Sequence, residues 1–249
     1  MRELSRDIQE EIYFRALWAS TDLAEQFGPH PAFSETRAAR GDLQWDAWGV
    51  VPRDKERWAV LRERVRTVGL RNSLLIAIAP TATIASITGA FECVEPQISN
   101  LFKRETLSGD FMQINRYLVA ELKTIGQWTE ETRALIKLAE GSIAGIASIP
   151  DEIKAIYRTV WEIPMRSLID MAADRGAYID QGQSLNLFIE NPSIGKLSSM
   201  YMHAWKKGLK TTYYLRSRPA TKIAKVTVSE AREAVSCSLD KPEECEACQ

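Results

Sequence analysis

Three of the four cysteines, Cys237, Cys245 and Cys248, fall in a polar C-terminal stretch with little to pack against. A structural cysteine is normally buried as a small hydrophobe. Exposed thiols spaced Cys-x-x-Cys, as Cys245 and Cys248 are, suit thiol–disulfide exchange, because the second thiol can resolve a mixed disulfide formed by the first. Cysteines without a role in a disordered tail, or a zinc clip, are the competing readings. A clip needs a fourth ligand, and His30 and His203 are distant in sequence. Upstream, Tyr213 and Tyr214 are adjacent: either strand aromatics filling a core or a working pair whose rings stack. Stacking would need an irregular strand end, since neighbouring side chains of a regular strand point to opposite faces.

A second chemical candidate is Pro80-Thr-Ala-Thr-Ile-Ala-Ser86. Its small residues let backbone N–H groups approach an anion, Thr81 and Thr83 add hydroxyl donors, and a helix starting here would turn its positive end to a phosphate. The alternative is a capped strand-to-helix turn with no ligand. Neither a Walker A sequence nor GxGxxG is present. Cys93, in Phe91-Glu-Cys-Val-Glu-Pro96, reads as a buried small residue, since no histidine or carboxylate partner stands at motif spacing.

Periodicity sets the helices and strands that carry these residues. Ile8, Ile12, Ala16, Ala19 and Leu23 predict an amphipathic helix over residues 5–27, stopped by Gly28 and Pro29. Residues 30–52 read as an ordered loop. Trp58, Leu61, Val65 and Val68 mark a helix ending near Gly69. The short apolar run at 74–79 predicts a buried strand, then a turn over 80–89 and an extended stretch over 97–108. Helices are expected over 111–126, 129–139 and 151–177. Strands are expected over 184–189 and 211–216, with a helix between them whose Leu197, Met200, Tyr201, Ala204 and Trp205 share a face and which ends at Gly208. Such a face is usually core, but it can also form a groove for a partner peptide. Strands alternating with helices indicate an α/β domain. The pattern fails beyond Arg218 and Pro219. Residues 226–249 hold six acidic against two basic residues, so a domain over 1–220 and a solvated, mobile tail over 221–249 are expected.

Composition narrows the class. The chain has 249 residues, 45% hydrophobic and 26% charged, with a net charge of -1. That gives no electrostatic case for nucleic acid or a membrane surface. No apolar run approaches a membrane span and the start lacks a signal-peptide core, so a reducing cytoplasm is expected.

In this order the segments resemble the C-terminal part of the large, catalytic subunit of class I ribonucleoside-diphosphate reductase. The likeness runs along essentially the whole chain. It rests on Arg71-Asn-Ser-Leu-Leu-Ile-Ala-Ile-Ala-Pro-Thr-Ala-Thr83, Glu95-Pro96 with Ser99-Asn100, Leu107-Ser-Gly109, Asp180-Gln-Gly-Gln-Ser-Leu-Asn186, Gly208-Leu-Lys-Thr-Thr-Tyr-Tyr-Leu-Arg-Ser-Arg-Pro219 and the final Cys-x-x-Cys. The resemblance implies an α/β fold forming the C-terminal half of a ten-stranded α/β barrel that binds a ribonucleoside diphosphate. It implies a radical supplied by a metal-containing small subunit, with no cofactor bound by this segment, and thioredoxin or glutaredoxin as reductant. By the same resemblance Pro80, Thr81, Ala82, Thr83 and Ile84 match the loop for the substrate phosphates. Tyr213 and Tyr214 match the stacked tyrosines of the radical path, and Cys245 and Cys248 match the thiol shuttle. The helix from about Gly195 to Gly208 matches one side of the groove for the small subunit's C-terminal peptide.

Two departures stand out. Ile84 occupies a place where some members carry a hydroxyl. The segments for the radical-forming cysteine with its Asn and Glu, for the two reducing cysteines of the barrel, and for nucleotide control have no counterpart here. The expectation is therefore a portion that works with the missing N-terminal part and is inactive alone. The alternative is a non-catalytic assembly module with a redox- or zinc-binding tail.

Overall fold

The structure, a computed structural model, describes residues 1–106 and 109–218, with the backbone alone over 102–106 and 109–112. The tail cysteines Cys237, Cys245 and Cys248, and the tail expected over 221–249, lie outside the described residues.

Helix α1 (Arg2–Phe27) lies against α3 (Lys55–Val68) and α8 (Met165–Gly176). It is held by an aromatic core in which Tyr13, Phe14 and Leu17 meet Trp45, Trp58, Leu61, Val65 and Tyr178. Trp58 is the hub: its ring lies edge-on to Phe14 at 5.2 Å and to Trp45 at 5.7 Å, and its indole N–H donates to Glu10 at 2.9 Å. Short helix α2 (Gln44–Ala47) brings Trp45 into this core. Burial on α1 therefore differs from the expectation. The inward residues are Gln9, Glu10, Tyr13, Phe14, Leu17, Ser20, Thr21 and Ala24, while Ile8, Ile12, Ala19 and Leu23 are exposed. Aromatic contacts with α3 decide the orientation over the aliphatic stripe.

After α4 (Ala82–Thr88), strands β1 (Leu101–Thr106) and β2 (Gly109–Ile114) form an antiparallel hairpin, Leu101 opposite Ile114. Residues 111–114 were expected in a helix. They belong to β2 because Asn115 both closes the hairpin and caps the next helix. Its backbone and side-chain N–H groups donate to Asn100, and its Oδ1 accepts from the Tyr117 and Leu118 N–H groups that start α5 (Arg116–Thr124). Helix α6 (Glu130–Leu138), capped by Thr129, packs with α5 and α7 (Asp151–Ile156) through Leu118, Leu122, Ile136, Ile149 and Ile153. The single helix expected over 151–177 is broken into α7, a 3-10 turn at Val160–Glu162 and α8. Pro164 stands at the N-terminus of α8: it has no N–H to continue a helix and restricts Ile163 before it.

The parallel β structure is three segments wide. Residues 76–78 lie beside 181–184, with Gln181 N–H to Ile76 O, Ile78 N–H to Gly182 O and Ser184 N–H to Ile78 O at 2.8–3.1 Å. The middle segment continues into β3 (Leu187–Glu190), which pairs in parallel with β4 (Leu215–Arg218). Helix α9 (Ile194–Lys206) forms the crossover and packs on α8. The run at 74–79 is not the buried strand expected. It makes one bridge, Ile78 to Gln183, and is half-buried to exposed, with Leu74 at 54%. Only one of its edges has a partner among the described residues. On α9 only Ala204 is buried, whereas Trp205 and Tyr201 of the expected face are exposed. No described helix is long and apolar enough to cross a membrane.

Candidate active site

The Pro80 turn leaves the end of the 76–78 segment. Thr81 adopts a left-handed conformation (φ 49°), and α4 begins at Ala82 with Ala85 N–H donating to Thr81 O at 2.7 Å. The N–H groups of Ala82, Thr83 and Ile84 precede that first intrahelical bond, the usual place where a helix has donors to offer. Thr81, Ala82, Thr83 and Ile84 are exposed and Pro80 is half-buried. The Thr81 hydroxyl makes no capping bond.

The tyrosines sit beside the middle segment at the same level. Tyr213 N–H donates to Leu185 O at 2.7 Å, and Leu187 N–H donates to Tyr214 O at 2.8 Å, so their backbone straddles Asn186. Both precede β4, in irregular backbone. That releases them from strand alternation. Their rings lie 4.1 Å apart at 47°, and the Tyr213 hydroxyl donates to that of Tyr214 at 3.3 Å. The bond to Tyr214 holds the Tyr213 hydroxyl above its ordinary pKa. Tyr213 and Tyr214 are exposed, so they do not fill a core.

Asn186 connects the tyrosines to the turn. Its side-chain N–H donates to Cys93 Sγ at 3.3 Å and to Glu95 Oε2 at 3.1 Å, and its backbone N–H donates to Glu95 Oε1 at 2.8 Å. The Cys93 thiol in turn reaches Pro80 O at 3.5 Å. Cys93 is half-buried at φ 64°. Burial pushes its thiol pKa up, and the carboxylates of Glu95 and Glu92 add to that, so it stays S–H and is a poor nucleophile. A cavity of about 160 Å³ opens here, lined by Cys93, Glu95, Gln97, Asn186, Phe188 and Arg216. Sequence reading missed this grouping, since Glu95 and Asn186 are 91 positions apart. Each stands inside one of the motifs that carry the family resemblance, which was the available signal.

On the far side of β3, α8 and α9 flank a groove of about 530 Å³ lined by Met165, Ile169, Phe188, Lys196, Met200 and His203. At its edge Asp170 accepts from His203 Nε2 at 2.9 Å and faces Arg2 and Lys207 at 3.5 and 3.6 Å. Burial raises the Asp170 pKa, but the bond to His203 and the two cations outweigh it, and the net shift is downward.

Thus the protein is an α/β body that presents a helix-starting turn and a close, tilted tyrosine pair at one level of a parallel sheet. Residues 1–215 match the family model for the ribonucleotide reductase barrel domain, and the chain belongs to that family. It is 45% identical to the ribonucleoside-diphosphate reductase large subunit of Arabidopsis thaliana, covering 99% of this chain and 33% of that protein. It is 47% identical to the Caenorhabditis elegans large subunit, covering 92% and 29%. Among solved structures, the Actinobacillus ureae class Id ribonucleotide reductase alpha subunit superposes with a TM-score of 0.65 at 29% identity, covering 87% of this chain and 34% of that one. The chain therefore spans about a third of the length of the relatives it matches.

Proposed function

We propose that this chain supplies the substrate phosphate contacts, the radical-transfer tyrosines and the thiol shuttle for reduction of ribonucleoside diphosphates to deoxyribonucleotides. In this reading residues 1–220 form the C-terminal half of a ten-stranded α/β barrel and residues 221–249 carry the redox tail. The observation that carries it is the Tyr213–Tyr214 contact, with hydroxyls 3.3 Å apart, in a chain of this family. A phenol loses its proton when oxidised, so a relay needs each hydroxyl beside a partner that can exchange a hydrogen atom. A tyrosyl radical at one ring takes that atom from the other, and the radical moves by one residue.

The small subunit supplies the radical from its metal centre and docks its C-terminal peptide in the groove beside α9. The substrate diphosphate lies at Pro80, Thr81, Ala82, Thr83 and Ile84, held by the first N–H groups of α4 and the Thr83 hydroxyl. Ile84, exposed at 65%, offers no hydroxyl, so backbone donors carry more of the contact. Cys245 and Cys248 return electrons from thioredoxin or glutaredoxin.

The test is co-assembly with the unmatched part of a large subunit and with the small subunit, and then an assay of diphosphate reduction. Thioredoxin-dependent product that needs this chain is the expected result. An assembled complex without product overturns the reading. Thr83→Val should raise KM for the diphosphate by roughly tenfold, the loss of one hydroxyl contact to a charged oxygen.

A further inference from the structure

Asn186 sits where two parallel ladders become irregular. On one side, Ile78 N–H donates to Gly182 O and Ser184 N–H to Ile78 O. The same register would next need an N–H from residue 80 to Ser184 O, and the Asn186 N–H on Pro80 O. Proline has no N–H to give, and the chain turns out of the sheet there. Side chains from the bend before Pro96 make up the lost rung. Glu95 Oε1 accepts from the Asn186 N–H at 2.8 Å, and the Cys93 thiol donates to Pro80 O at 3.5 Å. On the other side, a regular parallel ladder would set one residue against Asn186, with its N–H on Leu185 O and its C=O on Leu187 N–H. Here Tyr213 supplies the N–H and Tyr214 the C=O. Two residues oppose one, which is a bulge. It frees the side chains from alternation and lets the hydroxyls of adjacent tyrosines meet.

One carboxylate fixes the residue that the bulge faces. Glu95 Oε2 also accepts from the Asn186 side chain at 3.1 Å, so the two oxygens of a buried carboxylate hold the backbone and the side chain of a buried asparagine. We propose that Glu95 is a positioning residue of the radical relay: acting through Asn186, it fixes the backbone opposite the bulge and so keeps the Tyr213 and Tyr214 hydroxyls in contact. The inference rests on the relay reading of that pair. It separates two substitutions. Glu95→Leu removes both acceptors at similar volume. Glu95→Gln keeps an acceptor for the Asn186 N–H, and its new amide N–H has a partner waiting. Asn186 Oδ1 is buried without a hydrogen bond, and a turn of the Asn186 amide would let it accept.

The experiment has two readouts. In the full 249-residue chain, NMR of Cζ-labelled tyrosine, assigned through Tyr213→Phe, follows the ionisation of Tyr213. Its bond to Tyr214 holds it above the ordinary value, so Tyr214→Phe should bring it down. In Glu95→Leu it should already be down, and adding Tyr214→Phe should move it no further. Glu95→Gln should restore the wild-type pattern. In the enzyme assembled with the unmatched part of a large subunit and the small subunit, Glu95→Leu should lower kcat by roughly a hundredfold, as a misplacement on the order of 1 Å does. KM for the diphosphate should stay within about twofold, and Glu95→Gln should recover most of the loss. Thermal melts check folding. If Glu95→Leu does not fold, Asn186→Ala, which deletes only the side-chain half of the clamp, takes its place and should show the same losses in smaller measure. The proposal is overturned if Tyr213 ignores Tyr214→Phe in the wild type, or if Glu95→Leu keeps the coupled titration. It is also overturned if Glu95→Gln keeps that titration yet loses turnover, which would make Glu95 a proton carrier. A titration that depends on Glu95, in a chain whose assembled wild type reduces no diphosphate, would remove the relay reading and leave the clamp standing.

Discussion

The carboxylate of Asp180 accepts from the backbone N–H groups of Leu75 and Ile76, each at 2.8 Å. It ties the loop after α8 to the segment that delivers the Pro80 turn, across 104 positions of sequence. Lys210 closes the same loop from the other side by donating to the carbonyls of Ile179, Asp180 and Gln181. Asp180→Ala should leave two part-buried N–H groups without their acceptor and cost about 2–3 kcal/mol in urea unfolding. Asp180→Asn keeps one acceptor oxygen and should cost about half of that.

Gly141 offers a steric test of the hairpin's seat. A Cβ there would lie 1.9 Å from Ser99 Oγ and 2.7 Å from the Asn100 N atom, and its φ of +89° disfavours any side chain. Gly141→Ala should destabilise by about 3 kcal/mol or more, because backbone must shift. Gly145→Ala has nothing within 4 Å and should be nearly neutral. Paired thermal melts would show the difference.

Much of this fold was readable in the chain, and the misreadings have physical causes. Local stop signals worked, since α1 and α3 end at Gly28 and Gly69; the strand expected over 211–216 starts only at Leu215, which leaves both tyrosines in the irregular backbone that a working pair would need. Aliphatic periodicity misled on α1, because three-dimensional aromatic contacts with Trp58 outcompete an aliphatic stripe that has no partner among the described residues. The break at Pro164 was written in the sequence, and the helical pattern on either side of it obscured it. The Glu95–Asn186 bonds had no periodic signature, since they join the side chain of a bend residue to a segment 91 positions away.

Glu11 should make part of the stability acid-sensitive. Hydrogen bonds from Arg57 and then Arg15 lower its pKa from 4.5 to about 2. A carboxylate whose folded pKa is depressed stabilises the fold above its unfolded value and loses that contribution as pH falls from about 4.5 towards about 2. Its side chain is 46% exposed, and solvent screening keeps the effect to about 0.5–1 kcal/mol. Glu11→Gln should therefore lower stability at pH 7 and converge with the wild type near the bottom of that window. Urea titrations at several pH values measure it.

The tyrosine pair carries the central claim. Tyr213→Phe and Tyr214→Phe each remove one exposed hydroxyl and almost no volume, so stability should change by about 1 kcal/mol at most. The decisive measurement is diphosphate reduction by the assembled enzyme, chain plus unmatched part plus small subunit, with each variant in turn. The account predicts that turnover disappears in both while the variants fold and assemble as the wild type does. Near-normal turnover by Tyr213→Phe would contradict it and leave the pair as surface structure.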